Sequence, residues 1–316
     1  MSTGVRGAGT PRGREIVERL LGPASSEPRV SAERFPDGAH VRVEIPSVEN
    51  PTALRAVLEE AERWGIVIHR VSQGSGAMLL SESELDEMAA LGAENGLEVN
   101  LFTGPREEFG VLGAVRGPDG PNLAGRLRGR HQLRYAIEDV LRAAEHGIRG
   151  FLIPDLGMLE VVVDMVAQGE LPANSVFKAS AVLAPSNAVS FAQLARLGAS
   201  TINVPSDVDL VDLSEMRAAA ATPIDLYLEA PDALGGMVRG HEIAEITLAA
   251  APLYAKFGLR NARAVYPAGH QVMGDVVNNV REKVRRAAIA LEWLERSGVD
   301  VVMSKPGAEG IGVPEP

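Results

Sequence analysis

A closed (β/α)8 barrel in a single domain is the fold this sequence predicts, and three observations predict it. Eight apolar, strand-like segments alternate with eight helical patterns along 316 residues. Their spacing is about 25 residues, the repeat of one strand–helix unit in a parallel α/β fold. The turn after the first strand, Pro46-Ser47-Val48-Glu49-Asn50, contains no glycine, whereas the rival open, doubly wound sheet usually carries a Gly-rich phosphate turn there.

The elements follow in order. Strand-like segments begin at Val41, Ile66, Leu97, Gly150, Val176, Thr201, Ile224 and Leu253. Helical patterns cover residues 52–63, 82–94, 133–146, 156–168, 188–197, 212–220, 242–250 and 276–296. The second helix has its own start signal, a Ser81-x-x-Glu84 capping box. Residues 1–36 form an N-terminal extension with one short helical pattern, 14–21, placed to cap the barrel bottom. Residues 37–303 form the barrel. Residues 304–316 are Gly/Pro-rich and read as a loose tail. One connection is oversized, from Gly104 to Arg130. It follows the third strand, which puts it on the face where barrel active sites lie.

Composition narrows the function. The net charge of −11 argues against general binding to nucleic acid or an anionic membrane. No apolar run reaches the 18 or so residues of a spanning helix, and no secretory signal is visible, so the expected location is the cytoplasm. There is no cysteine. Disulfides, thiolate metal sites, cysteine-ligated iron–sulfur clusters and a cysteine nucleophile are thereby excluded.

Strand alternation then locates the chemistry. Val41, Val43 and Ile45 alternate with Arg42, Glu44 and Pro46. Ile224, Leu226 and Leu228 alternate with Asp225, Tyr227 and Glu229. Leu253, Ala255 and Phe257 alternate with Tyr254, Lys256 and Gly258. The aliphatic set suits the helix layer, so the polar set points inward. Arg42, Glu44, Asn100, Lys178, Asn203, Asp225, Glu229 and Lys256 are interior candidates, with Asp155 at the end of strand four. Buried charges must pair, reach the solvated mouth or shift their pKa values. The chain has four lysines against 27 arginines, and two of the four, Lys178 and Lys256, fall at interior positions. Arginine cannot lose its proton; a buried lysine can, which suits base or Schiff-base chemistry. The alternative is that both lysines only neutralise carboxylates.

At these same residues the chain resembles peptidase family U32, the collagenase-like peptidases. Val43 to Asn50, running on through residues 52–56, is similar to the family's strand with a glutamate, proline turn and helix start. The stretch 147–158 (GIRGFLIPDLGM) resembles its strand-and-turn with an aspartate. Residues 178–187 (KASAVLAPSN) resemble its next strand, and residues 223–230 (PIDLYLEA) a later one. The resemblance implies a barrel and a site at its mouth, and it touches Glu44, Asp155, Ser180, Asn187, Asp225 and Tyr227. Two departures stand out: Glu229 occupies the place of a family histidine, and the family's cysteines are absent beyond it. The hydroxylation of RNA or quinone precursors by iron–sulfur members of the family therefore does not carry over.

Other groups near the mouth complete the candidates. Gln73-Gly74-Ser75-Gly76 is a Gly-rich turn that can hold an anion or be a plain turn. His69 and Arg70 lie on opposite faces of strand two, so only one faces inward. The long loop carries Arg106, Arg116, Arg126, Arg128 and Arg130, with Arg134 just beyond. It reads either as a lid over an anionic substrate or as a solvated loop or subunit contact. Its one aromatic residue, Phe109, makes it a poor nucleic-acid surface. Arg260 and His270, after strand eight, are candidate clamps for a carboxylate or phosphate. Glu44, Asp155 and Glu229 are candidate ligands for Mg²⁺ or Mn²⁺.

These features predict an enzyme acting on a small, polar, anionic metabolite. Lys178 and Lys256 are candidate nucleophile or base, with Glu44, Asp155 and Glu229 as proton carriers. Arg42, Asn100, Arg106, Ser180, Asn203, Asp225, Tyr227, Arg260 and His270 are candidate substrate-binding residues. Lyase or aldolase chemistry is expected first. The alternatives are a metal-assisted hydrolase, as the family resemblance implies, and a non-catalytic binding barrel. A homo-oligomer is compatible with the sequence.

Overall fold

The computed structural model describes residues 12–106 and 125–316. Eight parallel strands close in sequence order into one barrel. They are β1 (Val41–Pro46), β2 (Arg70–Ser72), β3 (Glu98–Phe102), β4 (Gly150–Ile153), β5 (Val176–Ala179), β6 (Thr201–Asn203), β7 (Ile224–Glu229) and β8 (Leu253–Phe257). The helices are α1 (Arg12–Leu21), α2 (Pro51–Trp64), α3 (Glu82–Glu94), α4 (Gly129–Glu145), α5 (Leu156–Ala167), α6 (Ala188–Arg196), α7 (Leu210–Ala219), α8 (Ile243–Ala250) and α9 (Met273–Ser297). No helix among the described residues is long and apolar enough to cross a membrane. Closure is the expected outcome of eight units whose strands twist and tilt in one sense.

Local chemistry sets the helix starts. Asn50 Oδ1 accepts from the Ala53 amide at 3.0 Å, and Pro51 opens α2, where its missing N–H costs nothing. Ser81 and Glu84 form the capping box of α3. Asp155, Asn187 and Asp209 cap α5, α6 and α7 in the same way. The aliphatic strand face packs under the helices: Val43, Ile45, Ile202, Leu226 and Ala255 are wholly buried. Each of the valine, isoleucine and leucine side chains contributes about 1.5–3 kcal/mol.

The polar face fills the barrel, and depth along each strand separates its members. Arg42, one residue into β1, lies at the floor rather than at the mouth. Its guanidinium donates to Ser304 Oγ (2.8 Å), the Tyr254 hydroxyl (3.1 Å) and the Glu309 carbonyl (2.7 Å), and stacks 4.0 Å from the Phe35 ring centre. It is a structural floor residue and not a substrate ligand.

Residues 304–316 are not a loose tail. They cross the barrel floor. The Ser304 carbonyl accepts from His69 Nε2 (2.8 Å), the Gly312 amide donates to Glu98 Oε2 (3.3 Å) and Glu315 pairs with Arg149 (3.1 Å). The segment threads closely: a Cβ on its Gly312 would lie 2.9 Å from Val176 Cγ2, and one on Gly147, which it passes at φ +83°, 2.5 Å from the Glu315 carbonyl oxygen. The expected bottom cap, α1, instead has no buried residue, and Leu20 and Leu21 lie beside α6 and α7. Deleting residues 304–316 opens the floor and strips Glu98, Arg42 and His69 of partners. The expected result is a loss of about 3 kcal/mol or more in urea unfolding, given several buried polar groups left unsatisfied at about 1–3 kcal/mol each.

Candidate active site

Three cations and three carboxylates occupy the barrel interior: Arg70, Lys178 and Lys256 against Glu44, Glu98 and Asp225. All are buried, five of them completely. Arg70, from β2, is the hub. Its Nε donates to Glu98 Oε1 at 2.7 Å, and its Nη1 to Asp225 Oδ1 at 3.1 Å and Glu44 Oε2 at 3.3 Å. The guanidinium lies 3.5 Å from the centre of the Tyr254 ring. Glu44 also accepts from Ser72 Oγ (2.6 Å) and from Lys178, and Lys256 Nζ is 3.5 Å away. Asp225 accepts from Thr201 Oγ1 (2.8 Å), with Lys178 at 3.7 Å. Asn100 donates to Glu98 at 3.0 Å. The charges balance when all six are ionised, which is how they can remain away from water.

Burial and neighbours move the titrations apart. Burial would raise Glu44, but Lys178, Lys256 and Arg70 together hold it well below the ordinary glutamate range. Burial pushes Lys178 down to about 7, helped by the charges of Lys256 and Arg70 and opposed by Glu44 and Asp225. Burial likewise raises the Tyr227 hydroxyl, with Glu44 and Asp225 adding to it.

Above this cluster opens a cavity of about 710 Å³ at the C-terminal ends of the strands. Ser72, Ser180, Asn203, Tyr227 and Lys256 line it; Lys178 and Glu44 do not. The two expected lysines therefore have different positions. Lys256 Nζ faces the cavity, donates to Asn203 Oδ1 and sits 4.1 Å from the Tyr227 ring centre. Lys178 lies one layer below, 3.3 Å from Ser72 Oγ, through which a proton can pass to the cavity. Arg106 lines the wall, donates to the Gly74 carbonyl and stacks over Phe102 and Tyr266 at 4.5 and 5.2 Å.

Besides Arg42 at the floor, four expected site residues lie elsewhere. Asp155 caps α5, accepting from the Met158 and Leu127 amides at 3.1 Å each, and lines a separate groove with Arg126. Glu229 follows a bulge: Tyr227 pairs with Lys256 but Glu229 with Phe257, so the alternation slips and Glu229 turns from the interior. It accepts from the Arg260 amide at 3.1 Å and faces Arg286 at 3.6 Å. Arg260 and His270 are exposed on the connection after β8 and do not line the cavity. With Asp155 and Glu229 remote from Glu44, the three carboxylates considered for Mg²⁺ or Mn²⁺ are not assembled. Among the described residues no group of three or more histidines and carboxylates is placed to hold a metal.

Of the loop arginines, Arg126, Arg128, Arg130 and Arg134 are exposed. Arg116 and Phe109 lie outside the described residues.

Several site residues were not singled out from the sequence: Arg70 as the inward member of its pair, Glu98, Ser72, Thr201 and Lys283. His69 points to the floor, its Nδ1 accepting from the Val43 amide (2.9 Å), so Nε2 carries the proton toward Ser304; burial lowers it to about 4. The Gly74-Ser75 turn does hold an anion, but one belonging to the chain. Glu49 accepts from both amides at 3.0 Å and from Ser75 Oγ. Gly74 must be glycine, since a Cβ there would meet the Tyr266 ring at 2.4 Å.

No family model matches the chain, and no curated protein does. Solved structures similar to it include the U32 peptidase Mk0906 (17% identity, 66% of this chain and 75% of that one, TM-score 0.41). Others are a thiamine phosphate pyrophosphorylase from Pyrococcus furiosus (11%, 81% and 98%, 0.44) and a nitroalkane oxidase from Streptomyces ansochromogenes (17%, 71% and 65%, 0.40). Three different named activities at such low similarity assign none of them to this chain.

Proposed function

We propose that the chain is a cytoplasmic lyase of aldolase type that forms an imine between Lys256 and the carbonyl of a small anionic metabolite. One observation carries this reading: a lysine amine at the floor of the cavity, 3.5 Å from a carboxylate that a second lysine also holds. Lys256 passes a proton through Ser72 to a neutral Lys178, its amine attacks the carbonyl carbon, and the proton returns to the carbinolamine oxygen, which leaves as water from an iminium. That iminium keeps the positive charge of the ammonium it replaces, so the charge count beneath it is the same before and after, and Glu44 stabilises it in a site of low dielectric. Lys178, close to neutral-pH titration, accepts and returns protons through Ser72. Tyr227 and Asn203 orient the amine. Among the described lining residues Arg106, Lys256, Arg263 and Lys283 face only Asp207 and Asp232, a basic surface in a chain of net charge −11.

Borohydride reduction in the presence of carbonyl metabolites tests the reading. A stable adduct on the Lys256 peptide is expected; an absence of adduct across 2-oxo acids, aldehydes and ketones would refute it. The pH profile gives an independent check. The Lys178 amine is neutral above its lowered pKa, so kcat/KM should rise through pH about 7. Lys178→Arg keeps the charge but not the titration. It should lose that acidic limb and about 10²–10⁴-fold in rate.

A further inference from the structure

The third buried lysine, Lys283, is the feature that the imine chemistry leaves unused. It comes from α9, is 5% exposed and lines the cavity. Lys178 and Lys256 each lie within 4 Å of Glu44. Lys283 has no such partner: among the described residues it enters no salt bridge, and its one hydrogen bond goes to the Pro46 carbonyl at 2.8 Å. Glu49, the carboxylate whose charge reaches it, has both oxygens engaged by Gly74 and Ser75. A buried ammonium with one neutral acceptor has donors to spare and a charge to balance. One helical turn earlier Asn279 lines the same cavity, and so do Ser47 and Tyr266, whose hydroxyls meet at 2.6 Å.

We infer that Lys283 holds a carboxylate of the substrate, so that the compound condensing with Lys256 is a small oxo acid. This rests on the imine reading for the carbonyl, but not for the anion. A carboxylate is favoured over a phosphate because phosphate sites draw on turn amides, and the Gly-rich turn that lines the same cavity has given its Gly74 and Ser75 amides to Glu49. What remains is a side-chain ammonium with a neighbouring amide and hydroxyls, a donor set for two oxygens rather than for a phosphate cradle.

Thermal-shift titration with malonate and, separately, inorganic phosphate tests the site. Malonate should stabilise the wild type. In Lys283→Met its half-saturating concentration should rise roughly 10-fold or more, the usual weight of a charged hydrogen bond, whereas Lys283→Arg should keep part of the effect. Should the methionine variant not fold, Lys283→Gln takes its place. Equal malonate binding by wild type and variant, or stabilisation by phosphate and not malonate, overturns the inference. Borohydride trapping of the wild type with pyruvate and levulinate separates the two readings. A protein that binds malonate through Lys283 but traps neither oxo acid keeps the anion site and loses the imine.

Discussion

Replacing Lys256 by methionine is expected to abolish borohydride-stable adducts and to lower turnover by about 10⁴-fold or more, the range seen when a covalent nucleophile is removed. The fold should survive with some loss of stability: one interior charge goes, but Glu44 keeps Arg70 and Lys178 as partners, and methionine fills much of the same volume beside Tyr227. What the variant loses is the cavity's amine beside Glu44: Lys178 is wholly buried beneath Ser72 and outside the cavity, and Lys283, which also lines it, donates to the Pro46 carbonyl. Lys256→Arg separates charge from chemistry. It preserves the cation near Glu44 but cannot attack a carbonyl, and it should be as inactive as the methionine variant. Mass spectrometry of the reduced protein and steady-state rates are the measurements. Adduct formation in Lys256→Arg at the wild-type level would move the reaction to another lysine.

The second large effect is on stability. Arg70→Met removes the hub of the interior and leaves Glu98, Asp225 and Glu44 facing two lysines. Unbalancing a buried ionic network by one partner costs about 3–5 kcal/mol, a large share of the 5–15 kcal/mol that holds a typical domain together. Urea unfolding at pH 7 should show the loss, and the double variant Arg70→Met/Glu98→Gln should recover part of it by restoring the count of charges. The pH dependence has a definite sign. Glu44 is held below its ordinary value of 4.5, so its contribution is fully present above that pH and fades as the pH falls further beneath it. Lys178 has the same sign over a higher window. Its folded pKa of about 7 lies below the ordinary 10.5, so the folded state binds fewer protons between those values, and this group favours folding increasingly as the pH rises across that window. Unchanged stability in Arg70→Met would show that the network is not held in balance.

Much of this centre is legible in the sequence because β1, β5, β8 and β7 as far as Tyr227 alternate cleanly. Period two places Glu44, Lys178, Asp225 and Lys256 on one face, and the scarcity of lysine makes two of them conspicuous. The same parity carries Glu98 beside Asn100 and Arg70 beside Ser72, so those signals are present in shorter strands. Alternation gives face but not depth. Arg42 shares the parity of Glu44, yet one step toward the start of the strand takes it to the floor. Nor does alternation survive a bulge, which is why Glu229 turns away. Asp155 reads equally as a catalytic acid and as a helix cap, and three residues later the Met158 amide decides for the cap. Lys283 sits on a helix, where strand parity is silent. The segment 304–316 misleads because glycine and proline are the residues of mobile ends and also of chains threaded through narrow gaps.

That threaded segment has a consequence for how the interior is kept dry. The last strand of the ring ends at Phe257, but the amide that meets Glu98 belongs to Gly312 and the carbonyl that meets His69 to Ser304. A ring with every strand in place but without these residues would have its ionic heart wet from below. Sealing the interior, and with it setting the field that the lysines feel, falls to a segment that contributes no strand.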